Sequence, residues 1–347
     1  MNAFQKPAQR TDRLIWIVIA AIGMAILAAS VIGSLRIEWE SFLKPAGACL
    51  LLGAAGWFYG AVRKDACAAA ALTSTAQIAA FSAVGAPLSY LAARAGFPLQ
   101  DALFAALDHR LGIDWPGYVS IVTSNVWLRR LFLIAYLSFT VQVIATVLVL
   151  GFAGHFQRLS IFVRAFLLTT LVTIGISAFV PAAGPWLFYH AQPDLAHGAI
   201  PISSTSWPVF LGLRDGTFNT MSALNSEGII TFPSLHAALG VLFAIALWRV
   251  RGLRTIALIL NIAMILATPF AGSHYVVDVI AGIAIALGCW IAASWSLRSR
   301  SAASTARFSP AADSPSIIPD LSDGGPAGSP VRDPLRADAR ADVTHEH

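Results

Sequence analysis

Charge is scarce in this chain. Of its 347 residues only 12% are charged against 57% hydrophobic, and the mean hydropathy is +0.70. Soluble domains carry about 25% charged residues, so the bilayer, not water, is the expected solvent. Cysteine is scarcer still. Cys49, Cys67 and Cys289 each lie in or beside an apolar run, with no disulfide or metal-ligand spacing, which points to buried free thiols. A basic patch is also missing: the net charge of +5 comes from residues that punctuate apolar runs, and nucleic acid is not an expected partner. No small-residue cleavage site follows the first apolar run, so that run is expected to stay as a helix. There is no internal repeat beyond the succession of apolar helices.

What the chain has in abundance is long hydrophobic stretches. A spanning helix needs about 20 mostly apolar residues. Runs near that length occupy 14–35, 45–62, 67–93, 131–153, 161–181, 232–249, 254–271 and 275–296. The expected fold is therefore all-α, a polytopic membrane bundle of about six to eight transmembrane helices. An amphipathic stretch, Asp101–Tyr118, is expected to lie at the interface. The chain divides into N-terminal helices (1–98), a catalytic bundle (99–298) with an outer loop at 182–231, and a tail from 299 to 347. That tail is rich in Ser, Ala, Pro, Asp and Arg and is expected to be disordered.

Lys6, Arg10, Arg13, Arg63, Lys64, Arg158, Arg249, Arg251, Arg254, Arg298 and Arg300 fall on one side of an eight-helix arrangement. That side is cytoplasmic by the positive-inside rule, which places both termini there. Arg36, Lys44, Arg94, Arg110, Arg129, Arg130 and Arg214 fall on the other side, so the bias is incomplete. The outer loop then faces the periplasm or exterior, and a bacterial inner membrane is the expected location.

Two short stretches carry chemistry: Thr231-Phe232-Pro233-Ser234-Leu235-His236 and Gly272-Ser273-His274-Tyr275-Val276-Val277-Asp278. Each opens an apolar run at the same membrane edge. His274 and Asp278, four residues apart, share a helix face. A carboxylate there can fix the tautomer of an imidazole whose other nitrogen serves as nucleophile or base. His236 could protonate a leaving group. Pro233 suits a first helical turn, Ser234 offers a hydroxyl, and Ser273 is a candidate cap for the last helix. Two helix N-termini meeting at one spot suit a phosphate. Arg214 is the guanidinium candidate of the outer loop. His190 and His197 read as surface histidines, and Trp186, Phe188, Tyr189 and Trp207 as interfacial anchors or the wall of a lipid entrance.

These motifs resemble a known group. Phe232-Pro233-Ser234-Leu235-His236 is similar to the second signature of the type-2 phosphatidic acid phosphatase superfamily, and His274-Tyr275-x-x-Asp278-Val279 resembles its third. The Leu235 form, with Ala237-Ala238, is closer to the branch containing inositol phosphorylceramide synthases. Asp114-Trp115-Pro116 and Arg214-Asp215-Gly216 add a weaker likeness to bacterial members of that branch. The resemblance implies that His274 attacks phosphorus to form a phosphohistidine, that Asp278 orients it, and that His236 protonates the departing oxygen. It implies no metal and no cofactor, with water or an alcohol as second acceptor. The first signature, Lys-x6-Arg-Pro, is absent. Val180-Pro181-Ala182-Ala183-Gly184-Pro185-Trp186 occupies its place without a basic residue, and Thr268 stands where an arginine is expected. Arg214 and Ser234 are left as the expected phosphate ligands.

The expected activity is that of a lipid-phosphate phosphatase or phosphotransferase at the outer membrane face. A headgroup transferase of the phosphorylceramide synthase type is the alternative. A metal-dependent hydrolase, from two histidines and a carboxylate, and a non-catalytic lipid transporter are competing classes. The outer placement of all three groups argues against the transporter, whose sites lie near the midplane.

Overall fold

In a computed structural model, which describes residues 5–33, 36–191, 206–223 and 228–306, the chain is a bundle of helices with one pair of two-residue strands. It begins with α1 (Gln5–Val31), β1 (Arg36–Ile37), α2 (Trp39–Ala61) and α3 (Ala66–Ala93). Two short helices follow, α4 (Asp101–Arg110) and α5 (Trp115–Ser124), then α6 (Val126–Leu137), α7 (Phe139–Phe152) and α8 (Phe156–Phe179). The long loop holds α9 (Pro185–Phe188), α10 (Trp207–Asp215) and β2 (Thr220–Met221). The last three helices are α11 (Leu235–Leu247), α12 (Arg254–Ala271) and α13 (Val276–Ala306).

Several helices start where a short polar side chain accepts the free N–H groups of the first turn. Asp65 takes Cys67 and Ala68 at α3, Asp114 takes Gly117 at α5, and Asn125 takes Trp127 and Leu128 at α6. Six helices (α1, α2, α3, α8, α12 and α13) are long and apolar enough to cross a membrane. The α6–α7 pair, bent by 50° at Ser138, makes a seventh if it counts as one span. The expected all-α, polytopic bundle is what forms. The run at 232–249 is the exception in length: α11 has 13 residues, about 20 Å of helix against an apolar thickness of about 30 Å.

Two boundaries and the burial of the cysteines differ from expectation. The stretch Asp101–Tyr118 is two helices, not one, because Gly112 turns with φ +76° and Asp114 then caps a new start. Helix α13 continues through Ala306, into the stretch expected to be unstructured; residues 307–347 lie outside the described ones. The three cysteines are free but half-buried, on helix surfaces and not enclosed in the core.

Residues through Ser304 form one compact unit. Its core is aromatic and aliphatic, with Phe81, Leu150, Phe162, Phe166, Leu239 and Phe243 all buried. The first helices join the rest through α3, which packs on α7 and α8. Gly151 permits that approach, since a Cβ there would come within 2.9 Å of the Ala71 Cβ. Strand β1 pairs in parallel with β2 and so ties the connection after α1 to the loop before α11. One polar bridge crosses the interior: Asn261 donates to Gln142 (2.8 Å), which donates in turn to Ser138 Oγ (2.9 Å). In hydrocarbon such a bond has no competing water.

Arg158 closes the other end of α11. Its Nε donates to the Ala246 carbonyl (2.6 Å), its Nη2 to that of Ile245, and its guanidinium lies 5.5 Å from the Trp290 ring. Those carbonyls belong to the last turn, which has no N–H partners of its own. Arg158→Ala should cost about 2 kcal/mol, read as a lower unfolding temperature in detergent, with the catalytic rate per folded molecule retained.

Candidate active site

Ser234 is where the α11 end of the site is built. Its Oγ accepts the Ala237 N–H (3.3 Å), and its own N–H donates to the Asp278 carbonyl (3.0 Å). Helix α13 can come this close because residue 282 is glycine: a Cβ there would sit 2.3 Å from the Ser234 carbonyl oxygen. Backbone contact between the two motifs thus fixes His236 relative to His274. Pro233 is not in the first turn, as expected from its residue type. It precedes the Ser234 cap, in cis linkage to Phe232.

His274 is 2% exposed and Asp278 is fully buried. His274 Nδ1 lies 3.4 Å from Asp278 Oδ2, which accepts the Tyr275 N–H at 2.9 Å. The other nitrogen faces Gly272 and Tyr136. A Cβ at Gly272 would meet His274 Cδ2 at 2.6 Å, Tyr136 Oη at 2.8 Å and His274 Nε2 at 3.0 Å. Tyr136 stacks on His236, ring centroids 4.0 Å apart and planes 14° from parallel, with Phe139 at 4.7 Å. His236 and His274 are close enough for their charges to interact. Tyr136 therefore lies against both histidines, its ring on His236 and its Oη beside the Nε2 edge of His274. Burial pushes His274 down to about 4, against a hydrogen bond with the Thr231 backbone that pulls the other way. The ring is neutral at ordinary pH, the form a nucleophile needs.

The start of α13 is held by another helix. Asp108 on α4 accepts the N–H groups of Val276 (2.8 Å) and Val277 (2.9 Å). Asp101, seven residues earlier and on the same face, accepts from Ala183 (2.9 Å), Gly184 (2.7 Å) and the Tyr275 hydroxyl (3.0 Å). Both carboxylates are buried, and burial pushes Asp108 above the usual carboxylate range while its two N–H bonds pull it back. These contacts overturn the expected anion site at this N-terminus: its donors are already taken by carboxylates. They also replace Ser273 as the cap. Ser273 has φ +57°, and its Oγ accepts from the Trp186 N–H at 3.4 Å.

Helix α12 ends against aromatic donors. Its last carbonyls have no helical partners; Trp115 Nε1 donates to Pro269 (3.2 Å) and Trp186 Nε1 to Phe270 (2.9 Å). Trp186 is consequently buried and not an interfacial anchor. Pro269 lacks the N–H that would reach Ile265, and the Thr268 hydroxyl donates to that carbonyl instead (2.7 Å).

Not every expected ligand joins the histidines. Arg214 donates to the Phe97 carbonyl (2.6 Å), lies 5.6 Å from the Phe210 ring and feels the charge of Asp101. It sits beside the α4 clamp and makes none of its hydrogen bonds to His236, His274 or Asp278. Ser234 acts as a helix cap. His197 lies outside the described residues.

Residues 102–292, more than half of the chain, match the family model described as the PAP2 superfamily. The chain belongs to the PAP2 superfamily. No curated protein and no solved structure matches it. With its spanning helices, this PAP2 member is an integral membrane protein, and at the family level the activity is of the phosphatase type on lipid phosphoesters. The segment 180–186 abuts the third motif through Gly184, whose φ of +103° and bare Cα let it lie against Ser273. Basic side chains are absent from that segment.

Asp101, Asp108, Gly272 and Tyr136 were not identified from sequence. Two aspartates seven apart on the apolar face of a short helix were the available signal for the first pair. Tyr136 gave none, being one aromatic among many in an apolar run.

Asp108→Ala leaves two buried N–H groups without an acceptor, at about 1–3 kcal/mol each. Turnover and unfolding temperature should both fall, with Asp108→Asn intermediate because one amide oxygen remains. Equal behaviour of the two variants would contradict the capping role. Gly272→Ala should remove activity while the protein still inserts and purifies, since the added carbon collides with both the His274 ring and Tyr136 Oη.

Proposed function

We propose that the chain is a lipid-phosphate phosphatase or phosphotransferase working through a phosphohistidine on His274, without metal or cofactor. The observation that carries this reading is the pairing of His274 with Asp278, with Tyr136 lying against both His236 and the Nε2 edge of His274. His274 Nε2 attacks phosphorus as the bond to the lipid oxygen breaks, and His236 gives its proton to that oxygen. An approaching phosphate anion favours the protonated form of His236. In the second step the oxygen of water or an alcohol attacks phosphorus, the P–N bond breaks, and the acceptor's proton returns to His236. Two easier displacements replace one hard one.

Arg214 is the cation assigned to the phosphate, being the only lysine or arginine between Arg164 and Arg249. Ser234 can still donate its hydroxyl hydrogen while its lone pair caps α11. The site is assigned to the outer face of a bacterial inner membrane, on the distribution of basic residues. A lipid there keeps its tails in hydrocarbon while the acceptor arrives from water. The Leu235 form of the second motif favours the headgroup-transfer alternative, in which an alcohol is the acceptor.

Rapid quenching with a radiolabelled lipid phosphate tests the mechanism. Acid-labile, base-stable label should appear on the wild-type protein, vanish in His274→Ala, and form slowly in His236→Ala. Turnover without any such label would favour direct attack by water. Adding inositol or diacylglycerol separates release of free phosphate from transfer.

A further inference from the structure

The phosphoryl group in this site meets unusual electrostatics. Three carboxylates, Asp101, Asp108 and Asp278, lie buried and close enough to one another to interact. Of the described basic side chains, Arg94 donates to the Phe218 carbonyl, Arg129 donates to that of Thr123 and Arg130 lies over Trp127, while Arg214, assigned above to the phosphate, has Nη2 on the Phe97 carbonyl and Nη1 without a partner among the described residues. Thr268 has its hydroxyl on Ile265. Beyond Arg214 and Ser234, a further donor next to His274 would meet the negative charge that builds on the phosphoryl oxygens during transfer.

Tyr136 is so placed. It is the penultimate residue of α6, 7% exposed, immediately before the bend at Ser138. Its Oη and His274 Nε2 both lie within 3.0 Å of one point, the Cβ position at Gly272. They are therefore no more than about 6 Å apart, so the hydroxyl is within reach of a phosphoryl oxygen carried on Nε2, for a hydrogen bond of about 2.7 Å. Among the described residues no hydrogen bond occupies that hydroxyl. A phenol brings a donor without bringing a charge, which suits a site already crowded with carboxylates. The same ring lies flat on His236, so one side chain serves both sides of the phosphorus.

We infer that Tyr136 is a further catalytic residue: its phenol donates to a non-bridging phosphoryl oxygen as the bond to His274 forms, and its ring holds His236 towards the leaving oxygen. This rests on the phosphohistidine reading. Nothing is oxidised or reduced, and the phenolic proton stays on Tyr136 throughout.

The test separates oxygen from ring. Tyr136→Phe keeps the stack and removes only the hydroxyl, and Tyr136→Leu removes both. With a short-chain lipid phosphate as probe, Tyr136→Phe should lower kcat and the rate of His274 labelling by about 10- to 100-fold, with KM within about threefold of wild type. Tyr136→Leu should fall further. With p-nitrophenyl phosphate, whose leaving group needs no proton, the extra loss in Tyr136→Leu should disappear while the loss shared with Tyr136→Phe remains. The rate of the labelling burst is read, and its amplitude counts intact sites, so partial unfolding of a variant does not obscure the result. Wild-type burst rates in Tyr136→Phe would overturn the assignment and leave the His274 mechanism standing. Absence of label on wild-type His274 would instead defeat the mechanism on which the assignment depends.

Discussion

Helix α13 begins in a place where its free N–H groups need acceptors, and α4 supplies them. Asp108 takes Val276 and Val277, while Asp101 takes Tyr275 together with the backbone of Ala183 and Gly184. Through these five bonds one ten-residue helix joins the third motif to the segment that stands in place of the first. His274 lies between Ser273, packed on Gly184, and Tyr275, held by Asp101. Without that clamp His274 would hang on a short, irregular connection between two spans. Buried carboxylates with satisfied donors are costly to leave half-paired, so the arrangement is close to all-or-none.

Close backbone approach is the second ingredient. Gly282 lets α13 touch the carbonyl of Ser234, Gly272 leaves room for the His274 ring and Tyr136, and Gly184 lies directly on Ser273. In each case a methyl group would occupy space that the site uses. Aromatic donors complete the frame: the indoles of Trp115 and Trp186 hold the last carbonyls of α12, so the connection from α12 to α13 leaves from a fixed point. Rigidity of this kind suits the proposed two-step transfer, in which the same two histidines would face the phosphorus in both directions.

Some features were visible without coordinates because they depend on local rules. Apolar runs of about 20 residues mark helices that can span a bilayer, and α1, α2, α3, α8, α12 and α13 lie where those runs lie. The His-x3-Asp spacing keeps His274 close to Asp278, at 3.4 Å, although His274 precedes α13 and the two do not share a helix face as expected. Other features were misread because they depend on partners distant in sequence. Ser273 has the residue type of a cap, but the acceptor that does the capping comes from about 170 residues away. Trp186 has the residue type of an interfacial anchor, yet it is buried because Phe270 offers an unpaired carbonyl. The surroundings of Arg214, the Phe97 carbonyl and the Phe210 ring, were likewise not legible from its place in the outer loop.

By itself, the sequence determined that this chain is a membrane bundle and that two of its apolar segments begin with the second and third PAP2 motifs. Hydropathy and short-range helix geometry suffice for both, since each involves residues within one or two turns. Tertiary structure alone decided that α11, α12 and α13 meet at one end with α4 clamped across them. It also brought Tyr136, one aromatic among many in the sequence, against both His236 and His274. Those outcomes rest on hydrogen bonds and contacts between residues about 40 to 170 apart, and spacing along the chain carries no record of such distances.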